Sequence, residues 1–375
     1  MLDIKLLREN PDLVRKNLER RHDPEKMRLL EEVIGYDRAW RSLTTEVNSL
    51  RRVRNQISSE VARLKMEGRD ASEKMSEGDR VQEAIKEAEA ERERLENLIR
   101  EGLMRLPNLL HESVPFGKDE HDNVEIRRGG EPHSFGFEPK GHVDIALNLG
   151  LIDEARAGKV SGAGFVYLKN ELVLLDYAIL RFATDFLIKR GFRIVEPPFM
   201  IKRKPYEGVT SLEDFENVLY KVEGEDLYLI ATSEHSMAAM FMDEVLNAED
   251  LPIKLVGVSP CFRKEVGAHG KYTKGLFRMH HFNKVEQFIF SLPEDSWKFH
   301  EELQRNSEDL YQALGLYYRV VNVCTGDIGI IAAKKYDTEV WMADGAFREI
   351  GSNSNCTDYQ ARRLNIRYRE KEGQA

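Results

Sequence analysis

The sequence predicts an α+β protein: an N-terminal arm of two antiparallel α-helices in a coiled coil, followed by a domain with an antiparallel β-sheet flanked by helices. Two observations predict this class. A heptad pattern of apolar residues runs from Leu29 to Leu106 and is interrupted once. After Pro107, short β-like runs and grouped helices replace it, so the expected domains are 1–108 and 109–375.

The arm is predicted from the spacing of its apolar residues, which alternates between four and three positions. A break at Gly68-Arg69-Asp70 separates two stretches, and Pro107 ends the second because proline lacks the amide donor of a helix. Two long heptad helices joined in this way fold back as an antiparallel hairpin. A helix of about 35 residues reaches roughly 50 Å, so the arm is expected to stand clear of a globular body. The seam positions are Leu29, Val33, Tyr36, Trp40, Leu43, Val47, Leu50, Ile57, Val61 and Leu64, then Val81, Ile85, Ala88, Leu95, Ile99 and Leu106.

The two arm helices differ in charge. From Arg38 to Lys65 the net charge is +5, and from Glu73 to Glu101 it is −4. One interpretation is that the first helix presents basic residues to nucleic-acid phosphates. The other is that the charges form ion pairs between the helices without any ligand, and periodicity alone favours this one. The candidate phosphate-binding residues are Arg51, Arg52, Arg54, Arg63 and Lys65.

Composition and short motifs exclude several protein classes. No apolar run approaches 18 residues, so no segment is predicted to span a membrane, and the N-terminus lacks the apolar core of a secretory signal. Cys261, Cys324 and Cys356 lie far apart without zinc-ligand spacing, which favours the reducing cytoplasm. The net charge of −9 means that a polyanionic partner must bind a local basic surface. No strand precedes a Gly-x-Gly-x-x-Gly or Walker A sequence, so a nucleotide is expected on the antiparallel sheet.

The second domain is predicted from β-like runs separated by turns and grouped helices. A strongly apolar helix is expected at Lys169–Arg190, closed by Gly191, with further helices near Glu234–Leu246 and Asp295–Leu314. The stretch Pro115–Pro139 is rich in Gly, Pro and charge, and is expected to be a linker followed by irregular structure. The predicted strands are Phe192–Glu196, Leu219–Val222, Leu227–Ile230, Ile253–Val258, Val285–Phe290 and Tyr318–Val323.

One long stretch carries the most specific signal. It begins with Pro260-Cys261-Phe262-Arg263-Lys264-Glu265 and, after a glycine-containing loop, ends with Arg278-Met279-His280-His281-Phe282-Asn283-Lys284-Val285-Glu286. The stretch resembles motif 2 of the class II aminoacyl-tRNA synthetases along its whole length. In isolation, Arg-x-Glu indicates only a surface ion pair.

Three further segments resemble the same class, and in their details the seryl-tRNA synthetase family. Arg190–Phe199 is similar to motif 1, with Pro198 as its signature proline, although an ordinary helix–turn–strand would also fit. Ala231-Thr232-Ser233-Glu234 is similar to the Thr-x-Glu loop that holds serine in the family. Glu339–Trp341 and Arg348–Cys356 resemble the family's metal- and ATP-binding strand.

The resemblance implies roles for individual residues. Arg263 would stabilise the charge that develops at the α-phosphate of ATP, and Phe282 would offer a flat face to the base. Thr232, alternatively only a helix N-cap, would bind serine together with the nearby carboxylates. The implied serine-binding residues are Thr232, Glu234, Arg263 and Glu286, and the catalytic residues are Arg263, Glu265 and Glu349. The implied ATP-binding residues are Arg263, Glu265, Met279, Phe282, Glu349, Ile350, Gly351 and Ser352. Glu349 and Ser352 would hold Mg²⁺, and Lys271 and Lys274 would join the arm in binding tRNA.

The implied reaction is ATP-dependent activation of L-serine to seryl-adenylate and transfer to the 3′ end of tRNA(Ser), by a cytoplasmic homodimer that associates through the motif 1 region. Whether a selenocysteine tRNA is also charged stays open. The family's motif 3 would follow Ala375, so the chain as it stands is expected to be weak or inactive. His281 replaces a more usual glutamine and Gly351 a frequent serine. The alternatives are a non-catalytic tRNA-binding or RNA-binding relative, a carrier-protein aminoacylating relative, and a coiled-coil scaffold.

Overall fold

The structure is a computed structural model that describes residues 1–211, 216–265 and 276–370. It divides into two compact units, Met1–Pro107 and Asn108–Ala375. Within the described part, no helix combines the length and the apolar character needed to cross a membrane.

The first unit consists of four helices. They are α1 Ile4–Glu9, α2 Pro11–Glu19, α3 Pro24–Met66 and α4 Ser72–Arg105. The longest, α3, begins where the Asp23 carboxylate accepts two backbone N–H groups of the first turn. The long helices α3 and α4 run antiparallel, because Glu60 pairs with Lys74 whereas the earlier Arg51 pairs with the later Glu89.

The predicted seam residues lie in the contact between α3 and α4. Every one of them is buried or half-buried, and Val33 and Val47 have no exposed surface. The helices approach closely where Gly102 faces Val33, since a Cβ on this glycine would lie 2.3 Å from Val33 Cγ2. The prediction of an antiparallel coiled-coil arm is therefore confirmed.

A buried carboxylate attaches the short N-terminal helix to the base of this arm. Asp37 of α3 is only 3% exposed and accepts bonds from Arg8 of α1 at 2.6 Å and from Arg41 at 3.0 Å. The Arg8 guanidinium also lies 6.0 Å from the centroid of the Trp40 ring. Because Asp37 is buried and bonded to both arginines, Arg8 fixes α1 against α3.

The second unit contains strands β1 to β13 and helices α5 to α11. The strands are β1 Val124–Gly129, β2 Ile152–Asp153, β3 Tyr167–Leu168, β4 Arg193–Val195, β5 Met200–Ile201, β6 Tyr228–Leu229, β7 Val245–Asn247, β8 Ile253–Phe262, β9 His281–Phe290, β10 Tyr318–Asn322, β11 Lys334–Trp341, β12 Phe347–Asn355 and β13 Arg367–Arg369. The helices are α5 His142–Asn148, α6 Glu154–Val160, α7 Glu171–Ile188, α8 Arg203–Val209, α9 Ser233–Ala238, α10 Ser296–Ala313 and α11 Tyr359–Arg363.

Two sheets of this unit carry the residues of interest. One has four antiparallel strands in the order β1-β10-β11-β12, and the other has three strands in the order β4-β8-β9. In the second sheet β8 and β9 are antiparallel, while β4 joins β8 in parallel. Three pairs of short strands, β2–β3, β5–β6 and β7–β13, complete the pairing within the described residues. The prediction of helices flanking a largely antiparallel sheet is confirmed.

Helix α10 contacts both sheets, through β9 of one and β12 of the other. The Gln287 amide of β9 donates to Leu303 O at 3.1 Å, and the Asn353 amide of β12 donates to His300 O at 2.9 Å. Because side chains alternate along a strand, the residues that precede Gln287 and Asn353 point away from α10. Glu286 and Ser352, predicted to bind serine and metal, thus lie on the side of their sheets opposite this helix.

Three predictions of local structure are wrong. Leu219–Val222 forms only an isolated bridge to Tyr228, not a strand. The helix predicted to reach Leu246 ends at Ala238, because Val245–Asn247 instead pairs in parallel with β13. The supposed linker contains β1, an edge strand whose Val124 and Ile126 are 48% and 39% exposed, so its apolar residues do not mark a buried face.

Candidate active site

The candidate site is built on the β8–β9 hairpin and on the turn that begins α9. The hairpin pairs ten residues of each strand, which fixes the position of every side chain along it. Alternation places Phe282, Lys284 and Glu286 on one face of β9. Thr232 is the N-cap of α9, and its hydroxyl oxygen accepts the Glu234 backbone N–H at 3.2 Å. The cap therefore holds the Thr-Ser-Glu turn in a defined conformation.

Four donors anchor Glu286 beneath this turn. Its Oε2 accepts bonds from the Ser233 hydroxyl at 2.8 Å, the Glu234 backbone N–H at 3.1 Å and the Thr232 hydroxyl, and Lys284 Nζ lies 3.0 Å away. Burial disfavours the charged carboxylate, but Lys284 and the hydroxyl donors outweigh it and hold the pKa of Glu286 at about 2. Glu286 is therefore a fixed negative charge at neutral pH.

Glu234 lies in the opposite electrostatic environment. Burial and the neighbouring Glu286 charge raise the pKa of Glu234 above its ordinary value. Its Oε1 accepts a bond from the Gln360 amide at 2.7 Å. One firmly ionised and one easily protonated carboxylate therefore lie side by side. Such a pair favours a cationic ligand, because a nearby positive charge stabilises both ionised forms.

Arg263, which follows β8, belongs to the same network. Its Nε donates to Ala231 O at 3.2 Å, and its Cζ lies 5.2 Å from the centroid of the Phe282 ring. The Arg263 charge also acts on Glu234, where it opposes the rise in pKa. The structure thus brings the Arg263 guanidinium together with the Glu234 and Glu286 carboxylates.

The predicted adenine contact, Glu265, already has a partner. Its backbone φ is +46°, in the left-handed region, and its carboxylate lies 3.1 Å from the Arg278 guanidinium. Met279 follows Arg278 and is half-buried. A nucleotide amino group that approaches Glu265 would share this carboxylate with Arg278. Lys271 and Lys274 lie outside the described residues.

A β-bulge brings the two predicted metal ligands onto one face of β12. Residues three apart normally point to opposite faces of a strand, but Ile350 is an extra residue in the pairing of β11 with β12. As a result Glu349 lies opposite Glu339, and Ser352 lies opposite Asp337. These partners are two apart on β11 and share a face, so Glu349 and Ser352 do as well. Both are exposed.

Gly351 lies on the other face of β12, toward α10. A Cβ built on this glycine would lie 2.7 Å from the Tyr311 hydroxyl oxygen. Tyr311 occupies the space that a larger residue would need. This contact gives a physical reason for glycine at a position where the family frequently has serine.

A surplus of negative charge surrounds Glu349. Lys335 Nζ lies 3.0 Å from Asp337 Oδ2, while Asp337 Oδ1 is buried without a hydrogen-bond partner in the described part of the chain. Burial, together with the charges of Glu349 and Asp327, outweighs Lys335 and raises the pKa of Asp337 to about 7. Three carboxylates and one ammonium thus interact at this face, and an additional cation would balance them. Among the described residues, no three His, Cys, Asp or Glu side chains are close enough to hold a metal by themselves.

The arm residues predicted to bind phosphate lie in the first unit. Arg51 pairs with Glu89 at 2.6 Å, and Arg63 pairs with Glu67 at 3.2 Å, as the ligand-free interpretation expects. Among the described residues, Arg54 forms a hydrogen bond with the neighbouring Asn55 side chain and no ion pair. The remaining two, Arg52 and Lys65, are exposed and form no ion pair within the described part of the chain.

Three residues that contact Glu234 or Glu286 were not predicted as site residues from the sequence: Ser233, Lys284 and Gln360. Lys284 precedes Glu286 by two positions and shares its face, but the predicted strand began only at Val285, whereas β9 begins at His281. Ser233 lies inside the recognised turn. Gln360 lies in the segment Asp358–Arg363, which also resembles the family, but its contact had no local signal, because 126 positions separate it from the Glu234 carboxylate.

Comparison with known protein families agrees with this geometry. Residues 218–375 match the tRNA synthetase class II core domain (G, H, P, S and T), and residues 1–110 match the seryl-tRNA synthetase N-terminal domain. The serine–tRNA ligase of Methanoregula boonei is 54% identical over 373 residues, which covers 99% of this chain and 88% of that protein. The serine–tRNA ligase of Pyrococcus horikoshii is 51% identical over 392 residues, covering 99% and 86%.

Solved structures give the same result. A crystal structure of seryl-tRNA synthetase from Pyrococcus horikoshii complexed with ATP matches with a TM-score of 0.97 at 50% identity, covering 100% of this chain and 89% of that one. The cytoplasmic serine–tRNA ligase from Naegleria fowleri in complex with AMP matches with a TM-score of 0.91 at 34% identity, covering 98% and 88%. The chain therefore belongs to the serine–tRNA ligase family of class II aminoacyl-tRNA synthetases.

Proposed function

We propose that the β8–β9 site activates L-serine with ATP to give seryl-adenylate and that the seryl group then passes to the 3′ end of tRNA(Ser). One observation carries the assignment of residues. The Arg263 guanidinium, suited to phosphate oxygens, is held by the Ala231 carbonyl and lies close enough to act electrostatically on Glu234, which with Glu286 forms a pair of carboxylates suited to an ammonium. Adenylation of an amino acid needs these two recognition elements side by side.

Serine is recognised by its ammonium and its hydroxyl. The ammonium would lie between Glu234 and Glu286, where a positive charge favours ionisation of both carboxylates. The pair of carboxylates offers acceptors for the serine hydroxyl, while the Thr232 hydroxyl, which donates to Glu286 and accepts from Lys284, holds Glu286 in place. A site of this kind rejects alanine, because binding alanine would leave buried polar groups without a partner.

The chemical step depends on orientation and charge. A serine carboxylate oxygen attacks the α-phosphorus of ATP, a P–O bond forms, and the bond to pyrophosphate breaks. Arg263 would stabilise the negative charge that develops on the α-phosphate oxygens. Because the carboxylate of serine is itself the nucleophile, no enzyme side chain needs to form a covalent bond.

Magnesium fits the exposed face of β12. Glu349 and Ser352 offer a carboxylate and a hydroxyl oxygen, the hard ligands that Mg²⁺ prefers, and the unpartnered Asp337 Oδ1 lies opposite Ser352. A magnesium site commonly takes one or two protein ligands and completes its shell with phosphates and water. Glu349 and Ser352 would hold the ion, which would neutralise charge on the phosphates of ATP.

The first unit, with its hairpin arm, is the candidate tRNA-binding domain, so that the functional boundary lies at 108/109. Arg52 and Lys65 are exposed on α3 without an ion pair in the described part of the chain, and Arg54 is likewise without one. Arg51 and Arg63 would have to exchange their glutamate partners for phosphates. Arg52, Arg54 and Lys65 therefore carry most of the proposed contact, with Lys271 and Lys274 assigned to the acceptor end.

A homodimer through the motif 1 region accounts for the exposed apolar surface of α7 and β4. Leu174 and Tyr177 are 68% and 61% exposed, and a groove of about 510 Å³ lies between the two elements. A contiguous apolar patch on a folded domain is typical of an interface. The other exposed apolar residues of the patch are Leu175, Ile179, Phe182, Ile188 and Ile194. The Ser236 hydroxyl of α9 donates to Pro198 O at 2.7 Å, which links motif 1 to the serine-binding turn.

The cytoplasm is the proposed compartment. All three cysteines are free thiols, and Cys261 and Cys324 are buried. Unpaired cysteines suit a reducing environment.

Serine-dependent exchange of radiolabelled pyrophosphate into ATP tests the proposed reaction. We expect exchange only when serine and Mg²⁺ are both present, and tight binding of a non-hydrolysable seryl-adenylate analogue by calorimetry. Arg263→Lys keeps the charge but loses the planar fork, so kcat should fall about 100-fold. Arg193→Lys, at an exposed position of β4, is the matched control. Equal exchange with other amino acids, or an unchanged kcat in Arg263→Lys, would contradict the assignment.

A further inference from the structure

We infer that Gln360 is a positioning residue for serine recognition, which holds the Glu234 carboxylate in the orientation that receives the ammonium of the substrate. The inference rests on the proposed role of Glu234. Gln360 itself need not touch serine, because it acts through the carboxylate that it binds.

The amide of Gln360 has only one way to satisfy its surroundings. Its Nε2 donates to Glu234 Oε1 at 2.7 Å and to Val209 O at 3.2 Å, and the residue is 7% exposed. Both partners are acceptors, so the NH₂ group of the amide faces them and uses both of its hydrogens. The position of the Glu234 carboxylate is thereby tied to the backbone of α8.

The segment that carries Gln360 is itself clamped to α8. Arg363 of α11 donates to Glu207 O at 2.6 Å and to Thr210 O at 3.0 Å, which covers the carbonyl groups at the end of α8. Helix α8 and the end of α11 pack closely, since a Cβ on Gly208 would lie 2.3 Å from Leu364 Cδ2. Rigid supports of this kind keep a recognition group in place before the ligand arrives.

A neutral donor suits Glu234 better than a cation would. The neighbouring carboxylate, Glu286, is already paired with Lys284 at 3.0 Å and stays negative. A second ammonium at position 360 would neutralise Glu234 permanently and remove its attraction for serine. An apolar side chain there would leave a buried carboxylate oxygen without its donor. The amide orients Glu234 and leaves its charge for the substrate.

Gln360→Met tests the inference, with Gln304→Met as the matched control. Gln304 is also buried, and its amide donates to Thr338 Oγ1 at 3.0 Å, away from the serine-binding turn. Because bonds to charged groups are among the stronger hydrogen bonds, the KM for serine should rise about 10-fold or more in Gln360→Met. The KM for ATP should stay within about twofold, and the Tm should fall by a similar amount in the two variants.

Gln360→Lys separates positioning from structural support. An ammonium beside Glu234 should keep the Tm near that of the unchanged protein while it weakens serine binding at least as much as Gln360→Met does. An unchanged serine KM in Gln360→Met, or equal rises of the serine and ATP KM values in both methionine variants, would overturn the inference. Absence of both serine-dependent exchange and binding of the seryl-adenylate analogue in the unchanged protein would instead contradict the proposed function.

Discussion

Glu286→Gln is expected to destabilise the second unit in a pH-dependent way. The pKa of Glu286 falls from 4.5 to about 2 in the folded state. A carboxyl group with a lowered pKa contributes stability above its unfolded pKa and loses that contribution as the pH falls through the folded value. Each pKa unit of this shift corresponds to 1.36 kcal/mol, so the ionised Glu286 carboxylate contributes about 3 kcal/mol to the free energy of unfolding at pH 7. Near pH 3, roughly one pH unit above the folded-state pKa, the contribution is about 1.5 kcal/mol.

The neighbouring Glu234 carboxylate slightly reduces the expected loss of unfolding free energy. The Glu286 charge raises the pKa of Glu234, so removing that charge relieves an unfavourable interaction. Against this, the substitution leaves Lys284, 30% exposed, without its partner. The net loss of unfolding free energy at pH 7 should therefore be about 2–3 kcal/mol.

Urea unfolding in a Trp40→Phe background measures this loss selectively. The chain has three tryptophans, and after this change only Trp297 and Trp341, both in the second unit, report by fluorescence. Glu249→Gln, at an exposed turn, is the matched control and should change the free energy by less than about 0.5 kcal/mol. A Glu286→Gln deficit that stays the same size between pH 7 and pH 3 would refute the electrostatic account.

Three further predictions concern packing, association and tRNA binding. Gly208→Ala should lower stability by about 1–3 kcal/mol in the same urea assay, because its Cβ would collide with Leu364. Tyr177→Glu should weaken the dimer at least about 10-fold in analytical ultracentrifugation, because it places a charge in an apolar interface, whereas Phe137→Glu, at a residue 69% exposed, should not. Arg52→Glu should weaken tRNA binding and lower its salt dependence in filter binding, whereas the equal charge change Arg80→Glu on α4 should have a smaller effect; equal effects would favour the ligand-free interpretation of the arm.

Local periodicity made the arm predictable from the sequence. The heptad spacing specifies both the seam and the fold of the hairpin, because each seam residue meets its partner through the same repeat. The hairpin β8–β9 was predictable in part, since the apolar runs Ile253–Val258 and Val285–Phe290 were predicted as strands and the loop between them resembles motif 2. In contrast, β1 is an exposed edge strand, and its residues do not show which face meets the core. Tertiary pairing with β13, not local preference, also decided that β7 is a strand.

The site shows the same division between local and tertiary information. Thr232, Glu234, Arg263 and Glu286 belong to motifs that the sequence displays, and the structure places them in one network. Glu349 and Ser352 are different, because a spacing of three contradicts a shared strand face, and only the bulge at Ile350 resolves it.

The two carboxylates explain why the tertiary part matters for function. Glu286 gains its cation from the same strand, so a short motif suffices to keep it ionised. In the proposed function Glu234 must stay available to an incoming ammonium, which a strong local cation would prevent. Its support instead comes from a neutral amide on α11, held against the end of α8. Such a partner leaves no local pattern, because any segment that reaches the pocket could supply it. The contact that orients Glu234 in the proposed serine site is therefore one that local sequence patterns do not reveal.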